Sequence, residues 1–68
     1  MLNPLEERIL QYIISQNNNT SVSIKFDDIS NEDTIEAIKS LADKGLVRNC
    51  SSLTGASAMI LQSGKYYF

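Results

Sequence analysis

The fold of this 68-residue chain is decided by residues 34–47, which read TIEAIKSLADKGLV. Apolar residues recur there at the three- and four-residue spacing of a helix with one buried face. They are Ile35, Ile38, Leu41 and Ala42. Ser30 is a good N-cap residue, and Asp33 three positions later completes an acidic variant of the capping box. Gly45 is typical of the position after a helix. The sequence therefore predicts a helix over about residues 31–44.

A first helix is predicted near the N-terminus. Pro4 suits a first helical turn, where its missing N–H has no helical partner, and Asn3 is a good cap before it. Apolar residues then follow the helical spacing as far as about Ser15. Glu6 and Glu7 are expected close to the positive end of the helix dipole.

Short strands and turns make up the rest of the chain. Residues 21–26 alternate polar and apolar side chains, which predicts a half-buried strand. Residues 27–30 are either one tight helical turn or a plain connection. Beyond the second helix the pattern predicts a strand over 46–50, a polar turn over 51–57 and a strand over 58–62, paired as a hairpin. Ser63 is placed to cap a further, very short helix.

The predicted order of elements resembles the winged helix-turn-helix family, and in particular its small prokaryotic members. Two sequence segments carry the resemblance. Residues 34–47 look like the second helix of the motif running into the wing, and residues 61–68 look like the segment that often follows the wing. The second segment departs from the family pattern, because Gln62 and Ser63 stand where threonine is commoner and Gly64 falls one residue early. The resemblance implies an α+β winged helix spanning residues 1–68.

Composition limits the chemistry that the chain offers. The chain has one cysteine, Cys50, and no histidine, so neither a disulfide nor a Cys/His metal site is expected. Asp27 and Asp28 fit solvated or capping groups better than a metal pair, and no arrangement typical of an active site is present. Neither a signal peptide nor a long apolar stretch occurs, so we expect a cytoplasmic protein. Because no active-site arrangement is present, we expect neither enzymatic activity nor a cofactor. Residues 1–68 are expected to form a single domain, either a whole protein or the N-terminal part of a longer one.

The resemblance implies a DNA-binding domain of a transcriptional regulator. The net charge of −2 gives no basic footprint, and carboxylates are expected to dominate the outward face of the second helix. These outward residues are Glu32, Glu36, Ser40 and Asp43, with Asp33 beside them. The residues expected to contact DNA are the cations and hydroxyl groups of the second helix, the first strand and the wing: Lys25, Lys39, Ser40, Arg48, Ser52 and Thr54.

The alternative is a protein-interaction module that does not bind DNA, acting as a homodimer or within a larger protein. Tyr12 and Phe26 are expected in the core. Tyr66, Tyr67 and Phe68 are expected to form a partner interface. A continuous basic ridge across helix and wing would favour DNA, whereas an apolar patch around the three C-terminal aromatic residues would favour a protein partner.

Overall fold

The structure is a computed structural model, and it describes residues 2–16, 20–53 and 55–67. In these ranges the chain forms three helices and a three-stranded antiparallel sheet, an α+β arrangement. The elements are α1 (Pro4–Gln16), β1 (Val22–Ile24), α2 (Asn31–Asp43), β2 (Val47–Asn49), β3 (Ala56–Ile60) and α3 (Gln62–Lys65). The predicted order of helix, strand, turn, helix and hairpin is confirmed. Between β1 and α2 the chain makes a simple turn, in which Ile29 N donates to the Phe26 carbonyl at 3.3 Å.

The sheet has the order β1-β3-β2, so that β3 is its central strand. Val22 of β1 pairs with Ala58, and Val47 of β2 pairs with Ile60. Because side chains alternate along a strand, one face of the sheet is apolar and buried. Helices α1 and α2 cover this face, and the small side chains of Ala56 and Ala58 let them approach closely.

The bounds of the hairpin strands correct the sequence prediction. The third strand was expected over 58–62 but spans Ala56–Ile60, because the buried residues Ala56, Ala58 and Ile60 share one face of the sheet. The turn is correspondingly tighter than predicted. Ser52 N donates to the Gly55 carbonyl at 2.9 Å, and Gly55 N returns a bond to the Ser52 carbonyl at 3.2 Å. Likewise β1 is only Val22–Ile24, since the chain is already turning at Phe26.

Local chemistry at the helix ends explains where α1 and α2 begin and end. Asn3 Oδ1 accepts from Glu6 N at 2.8 Å, and Glu6 Oε1 accepts from Asn3 N at 3.0 Å, which is a reciprocal capping box. Ser30 Oγ accepts from Asp33 N at 3.2 Å, as predicted. Gly45 lies at φ +76°, a left-handed conformation that glycine adopts without strain. Helix α2 therefore stops at Asp43.

Gly64 in α3 packs against backbone. A Cβ atom at this position would overlap the carbonyl oxygen of Leu46 and would lie 2.7 Å from Ile60 Cδ1. Helix α3 can therefore lie against the segment leading into β2 only because residue 64 has no side chain. The predicted Ser63 cap is wrong: Leu61 occupies the N-cap position and makes no side-chain cap bond.

The core lies between the helices and the sheet. Its largest fully buried side chains are Ile9, Leu10, Ile13, Ile24, Ile38, Leu41, Val47 and Thr34. Tyr12 and Phe26 pack against this core as predicted, with their ring centroids 5.7 Å apart and their planes at 81°. Such an edge-to-face pair adds about 0.5–1.5 kcal/mol beyond the area that it buries.

Candidate nucleic-acid interface

Acidic and basic side chains are distributed unevenly along the chain. Residues 1–43 carry eight acidic and three basic side chains, whereas residues 44–68 carry three basic side chains and no acidic one. The carboxylates belong to α1, to the turn before α2 and to α2 itself. Strands β1, β2 and β3 contain none. Of the three cations in residues 44–68, only Arg48 lies in a strand, because Lys44 caps α2 and Lys65 lies in α3. The total of −2 therefore combines acidic helices with a sheet that carries one cation and no carboxylate.

The exposed face of α2 is acidic. Glu32, Glu36 and Asp43 are exposed there together with one cation, Lys39. Ser40 was expected on this face, but it is half-buried and lies towards α1, where its hydroxyl accepts from Lys44 Nζ at 2.9 Å. Asp33 is exposed as well, so the helix that resembles the second helix of the motif presents four carboxylates and one ammonium group.

A buried carboxylate holds the end of α2 against the start of α1. The Glu6 side chain is 4% exposed, and its Oε2 accepts from Lys44 Nζ at 3.0 Å. Hydrogen bonds from Asn3 N, from Ser40 and from Lys44 lower the pKa of Glu6 to about 2, although burial acts in the opposite direction. The sequence predicts only that Glu6 lies near the positive end of the helix dipole. The Asn-x-x-Glu spacing signals its bond to Asn3, but nothing local signals a partner 38 residues away.

Arg8 is tied to Asp28. Its guanidinium donates twice to that carboxylate, at 2.9 and 3.1 Å, and lies 4.2 Å from the centroid of the Phe26 ring. These hydrogen bonds lower the pKa of Asp28 and raise that of Arg8. Arg8 and Lys44 are therefore already engaged by carboxylates. Among the described residues, no three metal-ligating side chains are grouped in a way that could hold an ion.

The predicted DNA contacts lie on different elements. Lys39 is exposed on α2, Lys25 is exposed just after β1, and Arg48 and Ser52 are exposed on the hairpin; Thr54 lies outside the described residues. Arg48 pairs with Met59, and Lys25 follows the pair of Ile24 with Ala56. Arg48 is exposed and its neighbour Val47 is buried, so Arg48 faces away from the helices. Lys25 follows β1, the strand on the other side of β3.

The hairpin is held in shape by its own serines. Ser51 Oγ accepts from Ser57 N at 3.2 Å, and Ser57 Oγ donates to the Cys50 carbonyl at 3.1 Å. Leu53 at the tip is fully exposed. The hairpin is therefore a preformed projection that bears Arg48 at its base and polar groups along its length.

Two of the three predicted interface aromatics are described. Tyr66 is 76% exposed and Tyr67 is 43% exposed, both just after α3. Phe68 lies outside the described residues. The two tyrosines lie at the end of β3 that is remote from the hairpin turn.

A groove that the sequence did not indicate runs between α1, the turn at 27–30 and the first half of α2. Its larger part has a volume of about 400 Å³ and is lined by Pro4, Leu5, Arg8, Asp28, Ile29, Ser30 and Asp33. An adjoining depression of about 270 Å³ shares Leu5 and Asp33 and is lined further by Asn3, Glu6, Glu36, Ala37 and Ser40. Three separate segments form the groove, so no local pattern predicts it.

Comparison of the chain with models of protein families, with curated proteins and with solved structures gave no match. None of the helices in the described ranges combines the length and the apolar character that crossing a membrane requires.

Proposed function

We propose that this chain is a winged-helix domain that binds double-stranded DNA through the β2–β3 hairpin and the outer face of the sheet, as part of a cytoplasmic transcriptional regulator. The observation that carries the proposal is the division of charge. Strands β1, β2 and β3 contain one cation, Arg48, and no carboxylate, and Lys25 directly follows β1, whereas the carboxylates all lie in α1, in α2 and in the turn between β1 and α2. The strand order β1-β3-β2 and the projecting hairpin support the winged-helix assignment.

The acidity of α2 argues for contact through the sheet and hairpin. DNA affinity comes mainly from cations set against phosphates. Glu32, Glu36 and Asp43 on the exposed face of α2 would repel those phosphates if the helix entered the major groove. A glutamate can accept from cytosine N4, but only on a protein that is anchored by positive charge elsewhere. In the proposed orientation Lys25 and Arg48 supply the anchor, and α2 lies away from the duplex.

The number of cations sets the expected salt dependence. Two or three phosphate contacts per copy give a slope of about −2 to −3 in log affinity against log salt concentration. Affinity for DNA should then fall about 10- to 40-fold between 50 and 200 mM salt. A homodimer would double the number of contacts and steepen the slope accordingly.

The test is a fluorescence-anisotropy titration of a random-sequence duplex at about 50 mM salt, the range in which phosphate contacts are strongest. We expect salt-sensitive binding that R48E and K25E each weaken severalfold. K39E is the matched control, because it makes the same change of charge on α2 and should leave binding nearly unchanged. An equal loss in K39E would show that α2 contacts the duplex, and the absence of binding at low salt would refute the proposal.

A second candidate function is homodimerisation without DNA binding, and the exposed tyrosines favour it. Tyr66 is 76% exposed, and tyrosine is enriched at protein interfaces. In sedimentation velocity a dimer that Y66S converts to a monomer would support this function. A wild-type monomer throughout the micromolar range would count against it.

A further inference from the structure

The groove between α1 and α2 has an apolar floor and a charged rim. Pro4, Leu5 and Ile29 line its larger part, and the Arg8–Asp28 ion pair forms one wall. Its volume of about 400 Å³ reaches the lower range of ligand-binding sites, and it is open to solvent along its length. An open groove of this shape suits the side chains of an extended segment better than a small molecule, which usually binds in an enclosed pocket.

Two carboxylates on the rim are available to a ligand. Asp33 and Glu36 are exposed, and neither has an ion-pair partner among the residues that the structure describes. They are three residues apart on α2, so their Cβ atoms lie about 5–6 Å from each other on one face. Asp33 borders both parts of the groove, and Glu36 borders the smaller part.

We propose that this groove binds an arginine-containing segment of a partner protein, with an aliphatic side chain close to the arginine. A guanidinium group is planar and carries five donors, so that it can bridge Asp33 and Glu36 where an ammonium group acts as a point charge. Its aliphatic stem would lie along Leu5. The neighbouring aliphatic side chain would fill the floor beside Ile29. The acidic rim repels phosphates, which sets this partner apart from DNA.

The Arg8–Asp28 pair limits where the incoming arginine can bind. Two hydrogen bonds and contact with the Phe26 ring hold the Arg8 guanidinium in place. Because the Asp28 carboxylate is already bonded to Arg8, the incoming arginine is directed to Asp33 and Glu36. The groove uses none of the residues assigned to DNA contact through the sheet, so this proposal does not rest on the DNA proposal.

The experiment selects peptides from a random nine-residue phage-display library on the whole chain, and the enriched sequence is then synthesised. We expect arginine in the selected peptides, with leucine or isoleucine within four positions. Amide resonances of Leu5, Ile29 and Asp33 should shift on addition of the peptide. E36K should weaken binding about tenfold, the effect of losing one charged hydrogen bond. D43K makes the same charge change on α2 away from the groove and should alter affinity less than about twofold.

Circular dichroism establishes that E36K and D43K are folded, and E36Q, with a smaller expected loss of about threefold, replaces E36K if it is not. The proposal is overturned if no arginine-containing peptide is enriched, if D43K loses as much affinity as E36K, or if the shifts map to Tyr66 and Tyr67. It is also overturned if spermidine displaces the peptide at equal concentration, because that shows attraction of cations alone. The DNA titration and the peptide-binding experiment use different ligands and different variants, so the failure of one proposal can be distinguished from the failure of the other.

Discussion

Replacing Glu6 by glutamine removes the charge of the most buried carboxylate without changing its shape. A pKa lowered from 4.5 to about 2 means that the folded state favours the ionised form by about 3 kcal/mol. The side chain is only 4% exposed, so screening by solvent reduces this value little. A 68-residue domain has a total stability of roughly 3–10 kcal/mol, and E6Q should therefore lose a third of it or more.

The sign of the pH dependence follows from the lowered pKa. A carboxylate with a depressed folded-state pKa stabilises the protein above its unfolded-state pKa, and that stabilisation is lost as the pH falls towards the folded-state value. The wild-type protein should be more stable than E6Q by about 3 kcal/mol at pH 7, and the difference should shrink as the pH falls below about 4.5, to well under ~1 kcal/mol at pH 2. Glutamine resembles the protonated acid, so the two proteins converge.

Urea unfolding followed by circular dichroism at pH 7, 4.5, 3 and 2 measures this difference. E7Q is the control, because Glu7 is an exposed carboxylate in the same helical turn and its replacement should cost less than about 0.5 kcal/mol. The reasoning is falsified if E6Q and the wild-type protein differ by the same amount at every pH, or if E7Q costs as much as E6Q.

Two glycines are predicted to resist substitution for different reasons. G64A should cost more than about 2 kcal/mol in urea unfolding, because a methyl group there overlaps the Leu46 carbonyl, which is backbone and cannot rotate away. G45A should cost only about 1 kcal/mol, because nothing lies within 4 Å of its Cβ position and the cost is that of the left-handed backbone alone. G45N should be milder still, since asparagine tolerates this conformation. A G45A variant less stable than G64A would contradict both explanations.

Because of the division of charge, the two proposed surfaces are expected to bind partners of opposite charge. A phosphate backbone is attracted to the sheet and hairpin and is repelled by the helices, and the reverse holds for an arginine-containing segment. Increasing salt should weaken both interactions, because exposed charges contribute to each. Charge reversals at Arg48 and at Glu36 therefore distinguish the two interactions, when the binding of each variant is measured with DNA and with the peptide.

Features that arise within a few residues can be predicted from the sequence. Asn3 and Ser30 start the two long helices because a side-chain oxygen reaches a backbone N–H three positions ahead. Gly45 ends α2 because only a left-handed residue lets the N–H of Leu46 reach the Leu41 carbonyl, at 3.1 Å. Helical spacing of apolar residues identified the buried face of α2, and the acidity of its opposite face was also readable.

Features that join distant segments depend on how the helices and strands pack. The bond between Glu6 and Lys44 spans 38 residues, and that between Arg8 and Asp28 spans 20, so no local pattern indicates that these charges are engaged. The bounds of β3 depend on which residues face the helices once the sheet has formed, and the need for glycine at position 64 depends on the packing of α3 against Leu46. The groove likewise exists only where three segments meet. Short-range hydrogen bonds and spacing are encoded residue by residue, whereas the pairing of charges and the close approach of backbones follow from how the elements pack.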